Sequence, residues 1–171
     1  MVEARPDAQK NEVWIGIDLG TVNSVVGWFF QGKPEIIQVD AGTKSVMPSM
    51  LSVKEKRGDT LLIGVDAANK QSRYPTNTFF DCKRLIGMKF SDKEIQKQIP
   101  NLPFKIVNGN LGRVRIEATI SKKKVLIQPE YVSAQIISKM IRFAEKRING
   151  INPSAVIKNA VITVPAYFNS D

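Results

Sequence analysis

The 171-residue sequence contains no histidine and a single cysteine, Cys82. The lack of histidine excludes imidazole catalysis and histidine metal sites, so any metal here must be a hard cation held by oxygen ligands. A single cysteine excludes an intrachain disulfide and fits a reducing compartment. The absence of a clear leader favours a cytoplasmic protein and leaves an organelle form with a degraded leader open. No apolar run approaches the roughly 20 residues of a membrane helix, so we expect no membrane partner.

The charge is strongly biased, with a formal net charge of +9, but the basic residues are scattered along the chain. The tightest basic run, Lys122-Lys123-Lys124, precedes an apolar strand and is typical of an exposed hairpin turn. We therefore expect no nucleic-acid partner. Residues 1–12 are polar and carry no apolar signal core, so they are interpreted as a disordered leader.

The order of predicted elements indicates an α/β protein with helices packed on a sheet. The first three expected strands are predicted to form an antiparallel meander. At the end of the sequence, a long core helix is followed by a strand expected to be buried. The expected strands are Val13–Ile17, Ser24–Phe30, Glu35–Val39, Ser49–Val53, Thr60–Gly64, Phe104–Val107, Val114–Ile120, Lys124–Ile127 and Ala160–Val164. The expected helices are Asp66–Arg73, Thr76–Leu85, a short helix from the N-cap Ser91 to about Ile99, and a long amphipathic helix from Pro129 to Gly150.

The segment from Asp18 to Ser24 joins two apolar runs and places a carboxylate, a glycine and a hydroxyl at one turn. Because Gly20 lacks a Cβ and tolerates unusual dihedral angles, backbone N–H groups there could approach a phosphate, with Asp18 facing the accompanying metal. The alternative that these residues leave open is an ordinary β-hairpin whose Asp and Thr side chains bond their own backbone.

Six short blocks of the sequence belong together: Ile15–Thr21, Pro48-Ser49, Ile63-Gly64, Pro75–Thr78, Phe80–Gly87 and Ala160–Asn169. In this order they resemble the N-terminal part of the seventy-kilodalton heat-shock chaperones of the DnaK type. The blocks around Lys83 and Pro165 are the most specific, and a sugar kinase or an actin-like filament protein would share only the first hairpin.

The resemblance implies an α/β fold of the actin-like ATPase or ribonuclease H-like type, of which this chain forms the first lobe only. It implies an inner subdomain of about residues 13–40 and 129–171, with a mixed sheet and packed helices, and a smaller outer α/β subdomain of about residues 41–128. The sequence ends at Asp171, before the family's second lobe and peptide-binding domain, so the isolated chain is expected to bind ATP weakly and to hydrolyse almost none.

The resemblance also implies a nucleotide site with ATP or ADP and Mg²⁺ as cofactors. Asp18 would hold water ligands of the magnesium, and Lys83 would reach the γ-phosphate and orient the attacking water. Partners implied for the full-length protein are unfolded peptides, J-domain co-chaperones and nucleotide exchange factors. The phosphate-binding hairpin would consist of Gly20, Thr21, Val22 and Asn23.

Four alternatives stay open at this point. Pro165 either ends a buried strand or lies near the relay to the peptide-binding domain. Cys82 is either a small core residue or a thiol activated by the neighbouring Lys83 and Arg84. Val22 stands where many members carry a hydroxyl: either nothing replaces the lost donor and one phosphate or metal-water contact weakens by roughly 1 kcal/mol, or the surviving backbone N–H keeps the cradle intact. The chain could also be a non-enzymatic binding or self-associating module that uses an exposed sheet edge and apolar face.

Overall fold

A computed structural model of the chain describes residues 11–39, 44–54 and 60–165, and residues 1–10 of the expected leader lie outside them. These residues form three sheets and three α-helices. The strands are β1 (Glu12–Asp18), β2 (Asn23–Phe30), β3 (Lys33–Ile36), β4 (Met47–Pro48), β5 (Leu51–Lys54), β6 (Thr60–Ile63), β7 (Thr78–Phe79), β8 (Lys105–Asn108), β9 (Val114–Ile120), β10 (Lys123–Ile127) and β11 (Val156–Ile162). The helices are α1 (Val65–Ala68), α2 (Lys93–Gln98) and α3 (Pro129–Asn149).

The inner sheet has the strand order β11-β1-β2-β3, and β4 pairs with the start of β2. The predicted antiparallel meander of β1, β2 and β3 is confirmed, and β11 pairs with β1 in parallel. The third strand runs from Lys33 to Ile36 rather than over 35–39. Pro34 can lie in it because β3 is an edge strand, where a missing N–H costs no hydrogen bond to a neighbour.

Helix α3 covers one face of the inner sheet. Its predicted apolar stripe is confirmed, because Val132, Ile136 and Met140 are buried. The acidic Glu130 lies in the first turn and the basic Lys146 in the last, where the helix dipole favours these charges. The covered face of the sheet consists of Ile15, Ile17 and Val26. No helix in the described part of the chain is long and apolar enough to cross a membrane.

The opposite face of the inner sheet, here called the bare face, consists of Trp14, Phe29, Ile36 and Val161, all of them exposed. Alternation along each strand places these side chains opposite the covered face. Within the described residues, no helix lies over them. The sheet therefore buries one face only.

The last strand differs from its prediction in position and in burial. It spans Val156–Ile162 instead of 160–164, and its pattern is almost entirely exposed rather than buried. Parallel pairing with β1 begins at Glu12 and Val156, and this register brings the polar Lys158 and Asn159 into an edge strand open to solvent. Pro165 lies three residues beyond the end of the strand and therefore does not terminate it.

Two smaller three-stranded sheets, β6-β5-β7 and β10-β9-β8, form the outer part of the molecule. Strand β9 is confirmed to the residue, and the tight turn after it is made by Ser121 and Lys122, both with positive φ as two-residue hairpins require. The predicted β5–β6 hairpin is confirmed, with residues 55–59 of its turn outside the described ranges. The division into subdomains at about residues 40 and 128 stays a prediction.

The predicted helix over Thr76–Leu85 is wrong. A 3-10 turn (Pro75–Asn77), strand β7 and a second 3-10 turn (Cys82–Leu85) occupy the segment. Asn77 explains the change, because its side chain donates to Thr119 O and accepts from Thr119 N, both at 2.8 Å. This pairing of the Asn77 side chain with β9 outweighs the local helical pattern.

The two shorter helices were predicted with inaccurate bounds. Asp92, not Ser91, precedes α2, and Pro100 lies inside a 3-10 turn that continues it instead of ending it. Helix α1 is limited to Val65–Ala68, and the rest of the predicted 66–73 helix consists of turns. Element ends depend on one or two hydrogen bonds, so pattern alone places them poorly.

Candidate functional site

The strand–turn–strand predicted at Asp18 to Ser24 is confirmed, since β1 ends at Asp18 and β2 begins at Asn23. A Cβ added to Gly20 would lie 2.0 Å from Asn23 O, so this turn closes too tightly for any side chain at position 20. The φ of Gly20 is not in the left-handed region. Glycine is therefore required here by space, and its lack of a Cβ matters at this position without a left-handed φ.

The backbone of the hairpin has three carbonyls occupied and three N–H groups available among the described residues. Leu19 O accepts from Lys83 Nζ, Gly20 O from Ser49 Oγ at 2.7 Å, and Val22 O from Ser49 N at 2.8 Å. In the described part of the chain, no hydrogen bond uses the backbone N–H of Gly20, Thr21 or Val22. Successive unpaired N–H groups in one turn form a concavity that suits an anion.

Lys83 is brought to this hairpin across 64 residues of sequence. It lies in the 3-10 turn Cys82–Leu85 and not in a helix, and its ammonium reaches Leu19 O beside Gly20 and Thr21. A positive charge next to free N–H groups strengthens the preference for a phosphate or another anion. The sequence pattern predicted an ordinary solvated lysine on a helix and gave no sign that Lys83 lies beside the hairpin.

Asp18 is exposed at the end of β1 and is oriented by the end of the last strand. Thr163 Oγ1 donates to Asp18 Oδ1 at 2.6 Å, and Thr163 N donates to Ile17 O at 3.0 Å. The described residues hold no group of three His, Cys, Asp or Glu side chains that could bind a metal by themselves. A lone carboxylate fits magnesium held mainly by water and phosphate, which is the usual manner of Mg²⁺ in nucleotide sites.

The remaining predicted positions differ in what they contribute. Val22 points its side chain into solvent while its carbonyl stays bonded, and Asn23 is exposed at the start of β2. Pro165 is half-buried, and the structure ties it to the site only through Thr163, two residues before it.

Cys82 is a buried core residue, and this alternative is confirmed. Burial first, and the nearby Asp81 charge second, raise the pKa of its thiol far above the usual range. The neighbouring lysine and arginine do not activate it, because the thiolate would have no water around it.

Three residues of the site were not assigned a role from the sequence: Ser24, Ser49 and Thr163. Ser24 and Ser49 are buried and joined by a hydrogen bond of 2.8 Å between their hydroxyls. The only signal for Ser49 was the Pro48-Ser49 block, and for Ser24 its position at the end of the hairpin. Neither signal indicates a contact across 25 residues.

Comparison with known proteins places this chain in one family. A family description, Hsp70 protein, matches residues 14–171. The Heat shock 70 kDa protein of Neurospora crassa and the Chaperone protein DnaK of Buchnera aphidicola are each 40% identical over 155 residues, covering 91% of this chain and 22% of each relative. The Heat shock cognate 70 kDa protein 3 of Dictyostelium discoideum is 40% identical over 156 residues, with 91% and 23% covered. The chain therefore spans less than a quarter of the length of these curated relatives.

The matched residues include the hairpin, Lys83 and the last strand. The observed mixed sheet with few helices is consistent with part of the first lobe of an actin-like ATPase fold, as the resemblance implied. The resemblance read from the sequence is thereby confirmed, and the chain belongs to the Hsp70 family of chaperones.

Proposed function

We propose that this chain is the ATP-binding lobe of an ATP-dependent chaperone, which assists protein folding by coupling ATP hydrolysis to the capture and release of peptides. The observation that carries the proposal is the hairpin, with three free backbone N–H groups next to the Lys83 ammonium. Membership of the Hsp70 family supports it. The activity belongs to the longer protein, in keeping with the small share of its relatives that this chain spans.

The residue roles proposed here are those that the family resemblance implies, and the chemistry of the site is compatible with them. The N–H groups of the Gly20–Asn23 hairpin bind phosphate oxygens of ATP or ADP, and Asp18 binds water ligands of Mg²⁺. Lys83 gives up its hydrogen bond to Leu19 O, contacts the γ-phosphate and orients the attacking water. A localised positive charge there stabilises the negative charge that develops during phosphoryl transfer. Bound magnesium supplies neutralisation of phosphate charge, and Thr163 keeps the Asp18 carboxylate turned toward it.

The isolated chain should bind nucleotide weakly and hydrolyse almost none, because it provides only one wall of a cleft. The direct test is calorimetric titration with Mg-ATP, together with NMR shifts of the hairpin amides. We expect affinity weaker than micromolar, with shifts centred on Gly20–Asn23. Sub-micromolar affinity would contradict the single-wall proposal, and an absence of hairpin shifts at saturating Mg-ATP would contradict nucleotide binding itself.

Two glycine variants sharpen this test. Gly20→Ala places a Cβ within 2.0 Å of Asn23 O and should abolish the hairpin shifts. Gly16→Ala is the matched control, because a Cβ there meets no atom within 4 Å and the residue lies in the same strand as Asp18. Equal loss of binding in both variants would show that the effect is not specific to the hairpin.

We further propose that Pro165 relays nucleotide state to the peptide-binding domain of the full-length protein. Its connection to Asp18 through Thr163 supports this role. J-domain co-chaperones, nucleotide exchange factors and unfolded peptides are the proposed partners of that longer protein, and the cytoplasm its proposed location.

A second candidate function, self-association without catalysis, is favoured by the bare face. Trp14, Phe29 and Val161 are 59%, 69% and 62% exposed on adjacent strands, and β11 leaves one strand edge unpaired among the described residues. An apolar face beside an open edge is a common association surface. Light scattering should then show dimers that Phe29→Ser dissociates and Leu111→Ser, at an isolated exposed position, does not; a monomer at high concentration would count against it.

A further inference from the structure

We propose that Ser49, supported by Ser24, is a positioning residue that holds the peptide group between Gly20 and Thr21 in the orientation required for phosphate binding. The inference rests on the proposed role of the hairpin in binding nucleotide. It assigns a function to two buried hydroxyls that touch no nucleotide themselves.

The direction of the hydrogen bonds follows from the number of protons. A serine hydroxyl has one proton to donate. Ser49 Oγ uses its proton on Gly20 O at 2.7 Å, so the 2.8 Å bond between the two hydroxyls must be donated by Ser24 Oγ. The result is a short chain from Ser24 through Ser49 to Gly20 O.

Burial makes this chain of bonds strong. Ser24 is 0% exposed and Ser49 is 5% exposed, so water is not available to replace either bond. Ser49 is also held by its own backbone, since Ser49 N donates to Val22 O and the preceding β4 pairs with β2. The hydroxyl is therefore fixed relative to both ends of the hairpin.

Because the peptide bond is planar, the hydrogen bond from Ser49 to Gly20 O also fixes the direction of the Thr21 N–H. In a trans peptide, the carbonyl of one residue and the N–H of the next point in opposite directions. Because Ser49 binds Gly20 O inside the protein, the Thr21 N–H must point away, toward the side where the hairpin is open. Without Ser49, rotation of this peptide would direct a carbonyl oxygen at the phosphate.

A glycine before this peptide makes the restraint necessary. Gly20 has no Cβ, which the tight turn demands, but glycine also permits rotations that other residues resist. Ser49 compensates for this freedom from a segment 29 residues away in sequence.

Three serine variants of the full chain test the proposal by NMR titration with Mg-ATP. Ser49→Ala removes both side-chain bonds and should raise the dissociation constant about fivefold or more, while Ser24→Ala removes one bond and should have a smaller effect. Ser52→Ala is the matched control, because Ser52 is an equally buried serine whose hydroxyl is hydrogen-bonded to Thr78 Oγ1 at 2.9 Å, away from the hairpin. It should leave affinity within about twofold, since no bond at the hairpin is lost.

A second readout does not depend on nucleotide. The chemical shift of the Thr21 amide and hydrogen exchange at the Ser49 amide, which donates to Val22 O, should change in Ser49→Ala and remain unchanged in Ser52→Ala. Thermal melts show whether each of the three variants folds. If Ser49→Ala does not fold, Ser24→Ala is compared with Ser52→Ala instead.

The outcomes separate the two proposals. If the wild-type chain binds Mg-ATP and Ser49→Ala binds it as well as Ser52→Ala does, the positioning role is overturned while nucleotide binding stands. If the wild-type chain shows no hairpin shifts, nucleotide binding fails, and the positioning role is judged on Thr21 and Ser49 amides alone. Unchanged amides in Ser49→Ala would then overturn it.

Discussion

The two faces of the inner sheet have similar apolar side chains and opposite environments. Ile17 and Val26 on the covered face are buried beneath α3, whereas Trp14, Phe29 and Val161 on the bare face are exposed. Along β1 and β2, the side chains of the two faces alternate residue by residue. The difference shows that alternation assigns side chains to a common face but does not say whether anything covers that face.

The site depends on this asymmetry. The covered side anchors the hairpin through Leu19 and supports the 3-10 turn that carries Lys83. The bare side contributes Asp18, at the exposed end of β1, and Thr163, which donates to it from just beyond β11. The covered side thus positions the Lys83 ammonium and the free N–H groups of the hairpin. The open bare side leaves the Asp18 carboxylate accessible to a hydrated metal ion.

The same substitution on each face gives the largest expected contrast. Val26→Thr places a hydroxyl in the covered core and should lower the free energy of unfolding by about 1–3 kcal/mol. Val161→Thr keeps the size and the β preference in an exposed strand and should change it by no more than about 0.5 kcal/mol. Chemical denaturation measures both, and an equal loss at Val161 would indicate that another molecule covers the bare face in solution.

Thiol labelling compares the solvent accessibility of the two sides. Cys82 is buried with a raised pKa, so its reaction with a disulfide reagent requires local opening and should be at least about a hundredfold slower than that of an exposed thiol. Val161→Cys in a Cys82→Ala background should react at the rate of a short peptide. Fast labelling of native Cys82 would show that the layer beneath α3 opens readily.

The smallest effect is expected on the outer sheet β10-β9-β8, where charges and not a second layer stabilise exposed positions. A hydrogen bond from Lys124 at 2.9 Å, together with Lys105 on the neighbouring strand, lowers the pKa of Glu117 below its ordinary 4.5. A carboxyl whose pKa is lowered by folding stabilises the fold above that ordinary value. Its contribution is lost as the pH falls through the lowered pKa.

Glu117→Gln should therefore remove part of the acid dependence of stability, measured by denaturation midpoints across the mildly acidic range. Glu145→Gln is the control, because Glu145 makes no ion pair among the described residues. Identical acid profiles for wild type and Glu117→Gln would contradict a lowered pKa at this position.

Elements whose pattern is long and whose ends carry clear signals were predicted well. Strand β9 and helix α3 follow directly from apolar alternation and from a broad apolar stripe between Pro129 and Gly150. The helix expected over 76–85 was wrong because Asn77 pairs with Thr119, a partner 42 residues away that no local pattern contains. Strand β11 was shifted because its register depends on β1 and not on its own apolar residues.

The same distinction applies to the site. Family blocks in the sequence were sufficient to nominate Asp18, the Gly20–Asn23 hairpin and Lys83, because each block is a local string of residues. The restraint on the hairpin was not predicted, since it arises from hydroxyls of Ser24 and Ser49 that meet only after β4 pairs with β2.

The sequence by itself determined which residues alternate to one face, where a turn containing glycine joins the first two strands, and to which family the chain belongs. Those properties depend on neighbours within a few positions. Only the tertiary structure decided which face is covered, which carbonyls of the hairpin are occupied, and that Lys83 lies beside Leu19, 64 residues away. Hydrogen bonds and burial of this kind require distant segments to be packed together, and packing is a property of the whole fold.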